Sequence, residues 1–234
     1  MHSHILPAFD DGAKTVEDSL ELIDHLRQQG VRNICLTPHF YTNELSYKDY
    51  LVKREKAFRA FEPHIPDDIR IVLGSEVYVT EYIFNNQDLS GITYGNSPYI
   101  LTEFAYGMRF TEKEMQQFYQ LIQNFRLIPV MPHVERYENL MNSPDKIAQL
   151  KDIGVVIQTN IGNYTKQSPF FRKRKLLKLI DRGLIDILGS DTHSMKHNRP
   201  DVFAEAVETI SQKCGEKKLV RMMDNAAKIF NSAL

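Results

Sequence analysis

Histidine and carboxylate side chains recur where short apolar runs end along this 234-residue chain. The chain begins MHSHIL, and later runs end in TPH, GSE, LTE, MPH and GSDTH. With an aspartate shortly after the first run, these segments supply nine candidate metal ligands: His2, His4, Asp11, His39, Glu76, Glu103, His133, Asp191 and His193. Imidazoles and carboxylates without thiolates favour Mn, Fe or Zn in open catalytic sites and exclude a structural cysteine-type zinc site.

The spacing of these residues favours a shared site. His2 and His4 are two residues apart, as are Asp191 and His193, and such residues in a strand point to the same side. The alternative for the first pair is two exposed histidines near a mobile terminus. Nine donors at one rim would, however, leave buried charges unpaired unless cations lie among them. Because one ion cannot use nine ligands, we expect two or three ions with a bridging carboxylate, which suits activation of water and binding of a phosphoryl group.

The elements that must position these residues alternate along the chain. Besides the N-terminal run, short β-branched runs predict strands at 31–37, 69–75, 99–103, 127–132, 155–159 and 185–190. Amphipathic stretches predict a helix that begins near a Thr15–Asp18 capping box and ends at Gly30, and others at about 45–62, 111–125, 144–152, 169–181, 200–213 and 217–230. Residues 80–97 fit poorly and predict an irregular excursion with a short hairpin. Such alternation predicts an α/β fold with a parallel sheet, which can close into a barrel with its active site at the carboxyl ends of the strands.

Composition restricts the partners. The net charge is −1, 42% of residues are hydrophobic and 25% are charged, so nothing favours nucleic acid or an anionic membrane. No run approaches the roughly 18 apolar residues of a membrane span, which predicts no membrane insertion. The two cysteines, Cys35 and Cys214, are too few for a disulfide framework and predict a reducing, cytoplasmic location. The chain is expected to form one domain over residues 1–234.

The segments HSHILPAFDDG, LTPHF, GSEVY, LTEF, PHVERY and SDTH…RP, in this order, resemble the PHP (polymerase and histidinol phosphatase) superfamily. Within it they are most similar to bacterial metal-dependent protein tyrosine phosphatases encoded with capsule or exopolysaccharide genes. The resemblance implies a single PHP-type phosphatase domain with a distorted seven-stranded (β/α) barrel, which is TIM-like. It also implies divalent metal ions, with Mn as the first expectation and Fe, Zn or Mg as alternatives. Only Met1 precedes His2, which predicts a very short or truncated first strand.

The resemblance also implies three ligand sets. One ion would be held by His2, His4, Glu76 and Asp191; a second would share Glu76 and add Glu103 and His133; a third would take Asp11, His39 and His193. Histidinol-phosphatase-like members usually carry histidine where this chain has Asp11 and Glu103, which favours the tyrosine phosphatase branch. Arg136 and Arg199 are implied phosphate ligands, since a guanidinium offers paired donors to phosphate oxygens. His197 could also reach the mouth of the site but is expected to be a bystander.

The function expected from this reading is hydrolysis of phosphotyrosine on protein by hydroxide that the metals activate. The expected substrate is an autophosphorylating tyrosine kinase that controls polysaccharide export. A small-molecule phosphomonoesterase such as histidinol phosphatase, and a weakly catalytic phosphotyrosine-binding module, remain alternatives. A nuclease on the same metal site is a further alternative, which the near-neutral charge disfavours. Cysteine-based phosphatase chemistry is excluded because neither cysteine has an arginine six residues later. The basic run FRKRKLLK (171–178) is read as the solvated face of a helix, or else as a contact for an acidic partner or another subunit.

Overall fold

The computed structural model describes residues 1–234, in which strands and helices alternate. The strands are β1 (Asn33–Leu36), β2 (His39–Tyr41), β3 (Arg70–Leu73), β4 (Glu76–Tyr78), β5 (Tyr99–Glu103), β6 (Ile128–Met131), β7 (Val156–Asn160) and β8 (Ile187–Gly189). The helices are α1 (Val16–Gln28), α2 (Tyr47–Phe61), α3 (Glu112–Phe125), α4 (Glu138–Met141), α5 (Pro144–Asp152), α6 (Phe170–Asp181), α7 (Phe203–Cys214) and α8 (Glu216–Ser232). The predicted α/β class with a parallel sheet is confirmed.

The strands pair in parallel throughout. Six of them form one sheet in the order β2-β4-β5-β6-β7-β8, and β1 pairs with β3 separately. Leu36 faces Leu73 and His39 faces Glu76, so both pairs keep the same offset of 37 positions. Each predicted strand at 31–37 and 69–75 therefore continues in register into a second short strand. The interruption falls at Pro38, which has no N–H to donate to the ladder.

The N-terminal segment lies between the two edges of this arrangement. Ser3 forms an isolated parallel bridge with Thr192, and its carbonyl accepts a 2.8 Å hydrogen bond from the Thr37 N–H. The pairing stays this short because the chain turns from Leu6 onward. The predicted seven-stranded barrel is therefore not confirmed: the ladders form a six-stranded sheet and a two-stranded sheet, and the N-terminal segment adds a single isolated bridge to Thr192.

Between β4 and β5, residues 80–97 form an irregular excursion, as predicted, but the predicted hairpin is wrong. Two 3₁₀ helices, Glu81–Asn85 and Ser90–Ile92, replace it. The Thr80 hydroxyl accepts from the Tyr82 N–H and caps the first of them. Buried Ile83 and Ile92 fix both turns against the core, and this tertiary packing is not readable from local sequence.

Helix ends follow local chemistry. The predicted Thr15–Asp18 capping box is present at the start of α1. Leu22, Ile23 and Leu26 bury the inner face of that helix. The Ser19 hydroxyl donates a 2.6 Å bond to the Ile5 carbonyl and thereby fixes α1 against the N-terminal segment that carries two of the candidate ligands. No helix is long and apolar enough to cross a membrane.

Candidate metal centre

All nine predicted ligands meet at one end of the parallel strands. His39 and Glu76 begin β2 and β4, Glu103 ends β5, and His133 follows β6 by two residues. The remaining donors lie in the N-terminal segment, in the turn after it, and just beyond β8. Eight of the nine are buried or nearly so, and Asp11 is exposed. The fold thus places candidate ligands from positions 2 to 193 close together.

His2, His4, Glu76 and Asp191 form the tightest group. The Nε2 atoms of His2 and His4 lie 3.1 Å apart, and each lies 3.1 Å from Glu76 Oε2. Asp191 Oδ1 is 3.3 Å and 3.4 Å from the same two nitrogens. Ligand atoms about 2.1 Å from a common ion are roughly 3.0–3.4 Å apart in octahedral or tetrahedral geometry. The group therefore has the dimensions of a metal site.

Glu76 gives the strongest indication that a cation fits among these residues. Its Oε2 is buried and has no hydrogen-bond partner. It nevertheless lies 3.1–3.2 Å from ring nitrogens of His2, His4 and His39. A buried carboxylate oxygen surrounded by three nitrogens, none of which donates to it, is costly unless a cation lies among them. The donor set therefore fits divalent ions with Glu76 as the shared ligand.

The members of the other two predicted ligand sets also lie close together, but the boundary between the sets differs from the prediction. His133 Nε2 lies 2.7 Å from Glu76 Oε1 and 3.4 Å from Glu103 Oε1, as the second set requires. His39 Nδ1 also approaches this set, at 3.7 Å from Glu103 Oε2. Its Nε2 lies 3.6 Å from Asp11 Oδ1, so one histidine faces both groups.

In the third set, Asp11 Oδ1 lies 3.4 Å from His193 Nε2. His4 lies beside this set, and its ring stacks on that of His193 with centroids 4.0 Å apart. The four ligand atoms of His4, Asp11, His39 and His193 lie within 4.8 Å of one another. The donors therefore suffice for two or three neighbouring ions.

Two of the candidate ligands have unusual backbone conformations. His133 has φ 42° and Asp191 has φ 52°, the left-handed region that residues other than glycine seldom adopt. The Asp191 N–H donates a 2.9 Å bond to the His2 carbonyl, which fixes one of these turns. Such local strain is typical of functional positions that the surrounding structure holds in place.

Asp10 supports the ligands and was missed by the sequence reasoning. Its Oδ2 lies 2.8 Å from His4 Nδ1 and accepts from the His39 N–H at 2.9 Å. Its Oδ1 accepts from the Gly12 N–H. A carboxylate on the far nitrogen of a ligating histidine fixes the tautomer and the ring orientation. The adjacent pair Asp10–Asp11 was the available signal: one aspartate faces the metal group and the other faces its histidine.

Two amides orient Asp191 and were also missed. The Nδ2 atoms of Asn160 and Asn198 donate to Asp191 Oδ2 at 2.8 Å and 2.9 Å. This leaves Oδ1 facing the two histidines of the first group. No pattern in the sequence pairs these asparagines with Asp191, since Asn160 ends β7 and Asn198 lies in the loop after His193.

Burial and close contact shift the pKa values of the histidines and carboxylates in the site. Burial lowers the pKa of His2 to about 4. Burial also opposes a proton on His133, but Glu76, Glu103 and Asp191 outweigh it and raise its pKa to about 10. Burial would raise the pKa of Glu76, yet His2 and His133 hold it well below its usual range. Because metals bind neutral imidazole, divalent ions here would replace protons.

Arg136 reaches the site as predicted. Its guanidinium donates to Glu103 Oε1 at 2.8 Å and to Asp191 Oδ2 at 3.0 Å. The side chain stays partly exposed, with Tyr106 at one face. A permanent cation therefore lies between the donor cluster and solvent, where an incoming anion would meet it.

Arg199 is the one predicted site residue that the structure does not bring to the cluster. Its guanidinium is exposed and pairs with Asp201 through two hydrogen bonds. His197 instead lines the cavity, with its ring 5.4 Å from that of His193. The loop that follows His193 therefore turns its histidine, rather than its arginine, toward the ligands.

A cavity of about 270 Å³ opens over the donors. Its walls are aromatic: Tyr41, Tyr78, Phe104 and Tyr106 line it together with Arg136 and six of the candidate ligands. The Tyr41 ring stacks on His39 with centroids 5.1 Å apart. The cavity thus combines a polar, ligand-rich base with walls suited to a flat apolar ring.

Neither cysteine offers a nucleophile. Cys35 is buried, and burial raises its pKa to about 11. Burial likewise raises the pKa of Cys214 to about 11. Neither residue lines the cavity. The exclusion of thiolate chemistry by sequence spacing agrees with both environments.

Comparison with known proteins identifies the family. The sequence model of the family "Capsular polysaccharide synthesis, CpsB/CapC" matches residues 1–231. The chain therefore belongs to the CpsB/CapC family, and the expected relationship to capsule-locus proteins is confirmed.

Individual relatives cover nearly the whole chain. The tyrosine-protein phosphatase CpsB of Streptococcus agalactiae serotype III is 30% identical over 99% of this chain and 98% of its own length. The tyrosine-protein phosphatase YwqE of Bacillus subtilis is 30% identical over 97% of this chain and 89% of its own. A solved chain from the crystal structures of B. subtilis YwqE and Streptococcus pneumoniae CpsB, described as unique metal-dependent tyrosine phosphatases, superposes with TM-score 0.83 and 25% identity, covering 100% of this chain and 94% of that chain.

Proposed function

We propose that this protein is a metal-dependent tyrosine phosphatase that hydrolyses phosphotyrosine on a protein substrate. The observation that carries this proposal is the convergence of three ring nitrogens on the unpartnered Glu76 Oε2, with Arg136 beside it at the base of an aromatic cavity. The relatives named as tyrosine-protein phosphatases and the metal-dependent solved neighbour support the same activity.

The nine donors are proposed to hold two or three divalent ions in the groups described above. Bound ions of this kind lower the pKa of water and offset the charge of a phosphoryl group. Mn is the first candidate, and Fe, Zn and Mg are alternatives that the donor set also accepts. Asp10 holds the proton of His4 Nδ1 and so leaves Nε2 of that ring as the ligating atom.

Arg136 is proposed to bind phosphate oxygens. In its present position it neutralises Glu103 and Asp191, two carboxylates that bound cations would neutralise instead. Its planar donors can then face a phosphoryl group, where a preformed donor stabilises the charge of the transition state. Arg199 is proposed as a second, weaker phosphate ligand. It can bind phosphate only after its hydrogen bonds to Asp201 break.

The aromatic walls favour an aryl phosphate. Tyr41, Tyr78 and Tyr106 can pack against the ring of a phosphotyrosine while its phosphate meets the donors below. Tyrosinate is a tolerable leaving group because the tyrosine pKa is about 10, so no dedicated general acid is needed. Histidinol phosphate is an alkyl ester whose imidazole ring is smaller and more polar than a phenol ring, so it would make less apolar contact with these walls.

The setting of the activity follows from the family. We infer that the substrate is a tyrosine-phosphorylated protein of capsule or exopolysaccharide synthesis, with the polysaccharide-export tyrosine kinase as the first candidate. Two free cysteines favour a cytoplasmic location. A single domain over residues 1–234 agrees with one apolar cluster that extends from Ile5 to Met222.

A distorted barrel is proposed in place of two separate sheets. The bridge between Ser3 and Thr192, the Thr37–Ser3 hydrogen bond and the common register of the two short strand pairs support it. In that arrangement the N-terminal segment would act as the seventh strand and would bring His2 and His4 to the shared rim.

The experiment measures kcat/KM on three substrates with Mn²⁺ present: a phosphotyrosyl peptide, histidinol phosphate and a phosphodiester. We expect the peptide to exceed the other two by at least about a hundredfold, since apolar contact with the ring adds some kcal/mol to binding of the transition state. Preference for histidinol phosphate would identify a small-molecule phosphatase instead. Binding of the peptide without turnover would indicate a phosphotyrosine-binding module.

A further inference from the structure

A long groove begins where the catalytic cavity ends. Two cavities of about 390 Å³ and 610 Å³ share Gly107, Arg136 and Glu138 as lining residues. Arg136 also lines the cavity over the metal ligands, and Tyr106 is common to that cavity and the first of the two. The groove is therefore continuous with the position proposed for the phosphotyrosine.

The groove carries cations that lack carboxylate partners. Besides Arg136, its lining includes four exposed cationic side chains: Arg109, Lys146, Arg172 and Lys175. None of these four forms an ion pair, whereas Arg182 and Lys218 on neighbouring surfaces do. We call this surface, defined by Arg109, Lys146, Arg172 and Lys175 around Arg136, the basic groove.

Two carboxylates also line the basic groove, and they do not cancel its positive charge. Glu135 Oε1 accepts from the Asn160 N–H and from Asn163 Nδ2, so that carboxylate is already engaged. Glu138 is exposed and is the remaining acidic group. Arg136 is paired with Glu103 and Asp191, so the count rests on the other four cationic side chains, which against two carboxylates still leave the surface positive in a chain whose net charge is −1.

Exposed aromatic rings border the same surface. Tyr106 is 84% exposed and Phe171 is 76% exposed, and both line the cavity nearer to the metal ligands. Aromatic side chains and arginines that protrude together are enriched where proteins bind one another. The helix α6, which begins at Phe170, buries Leu176 and Leu179 and presents Arg172 and Lys175 outward, so two of the five cationic residues in the run 171–178 line this groove.

We propose that the basic groove binds an acidic segment of the substrate protein next to the phosphotyrosine. This inference rests on the proposed function and adds a specificity to it: the protein selects phosphotyrosines flanked by Asp or Glu. Carboxylates of the flanking residues pair with Arg109, Lys146, Arg172 and Lys175, while an apolar flanking side chain packs between Tyr106 and Phe171. Charge complementarity of this kind sets the partner and the rate of encounter more than the maximal affinity.

The test compares two phosphotyrosyl peptides that differ only in four flanking positions, Glu in one and Gln in the other. Wild type is expected to show about a tenfold higher kcat/KM on the Glu peptide, mainly through KM, since several exposed ion pairs together reach this size. The double variants Arg172→Glu/Lys175→Glu and Arg109→Glu/Lys146→Glu should each reduce that preference and leave hydrolysis of free phosphotyrosine unchanged. Lys213→Glu/Lys217→Glu is the matched control, because both lysines are exposed and line neither cavity.

Equal kcat/KM on the two peptides, or a preference that survives in both groove variants, would overturn the proposal. A binding assay separates this failure from failure of the proposed function. Fluorescence anisotropy with the unphosphorylated Glu peptide at low salt should show binding that the Gln peptide lacks and that both groove variants weaken. If wild type hydrolyses no phosphotyrosine, the proposed function fails and this assay alone decides about the groove. Tighter binding of a single-stranded oligonucleotide of equal length would contradict an acidic peptide as the occupant.

Discussion

The segments after His133 and after His193 each carry an arginine predicted to bind phosphate, but only the first arginine reaches the donor cluster. In the first, a 3₁₀ helix over Val134–Arg136 follows at once, and the Arg136 N–H donates a 2.7 Å bond to the His133 carbonyl. In the second, five residues separate His193 from Arg199, and the arginine pairs with Asp201 outside the cavity. The tight turn after His133 holds Arg136 at the site, whereas the longer loop after His193 brings His197 to the cavity and leaves Arg199 outside it.

The cluster of candidate ligands and the loop after His193 also differ in burial. Glu76, Asp191 and the histidines around them are almost fully buried and are fixed by several contacts each. His197 and Arg199 are exposed. Buried positions in a sheet have one geometry, whereas an exposed loop admits several. We therefore expect effects of substitution to decrease from the cluster to the loop.

The largest effect is expected at Glu76. Glu76→Gln keeps the shape of the side chain but removes the charge that two ions would share, so bound metal should fall and kcat/KM on a phosphotyrosyl peptide should drop at least about a thousandfold. Metal content by mass spectrometry and circular dichroism on the same samples separate loss of metal from loss of fold. Full metal content with near-normal activity would show that Glu76 is not the shared ligand.

The second-largest effect on activity is expected at Arg136. Arg136→Ala is expected to keep the metal count and the fold and to lower kcat/KM roughly 10²–10³-fold, as for a donor aimed at charge that develops in the transition state. Arg136→Lys should rescue only part of this loss, since an ammonium lacks the planar pair of donors. If the alanine variant loses metal as well, the arginine supports the ligands instead of binding phosphate.

The sequence predicted the parts of the site that strands determine. Strand β5 coincides with the predicted 99–103, and the nine donors predicted from strand ends all lie at one rim. Strand-end residues are predictable because parallel strands present their carboxyl ends at one edge. The role of Asn160 and the 3₁₀ turns of the excursion depend on contacts between distant segments that no local pattern encodes. The adjacent aspartates and Pro38, by contrast, are local signals for the role of Asp10 and for the strand break.

A smaller effect is expected at Arg199. Arg199→Ala should lower kcat/KM by about tenfold or less, because binding phosphate requires this guanidinium to exchange one exposed carboxylate partner for another anion. Asp201→Asn should act in the opposite direction and lower KM by about two- to threefold, since it releases the arginine. A loss in Arg199→Ala as large as that in Arg136→Ala would break the contrast between the two loops.

The smallest effect on activity is expected at Cys35. Cys35→Ser should change kcat/KM less than about twofold, and the free energy of unfolding should fall by about 1–2 kcal/mol because a hydroxyl replaces a buried thiol. Denaturant unfolding and peptide hydrolysis measure the two quantities, with Cys214→Ser as the less buried control. Inactivation by Cys35→Ser with the fold intact would reinstate thiol chemistry.

Metal removal tests the central claim most directly. The purified protein is dialysed against increasing chelator, and the number of metal ions per chain and kcat/KM on a phosphotyrosyl peptide are measured on each sample. The account predicts two or three ions per chain at the outset, activity that falls in step with them to the background, and recovery on addition of Mn²⁺ or another divalent ion that the donors accept. Full phosphotyrosine hydrolysis by protein that contains no metal would contradict it.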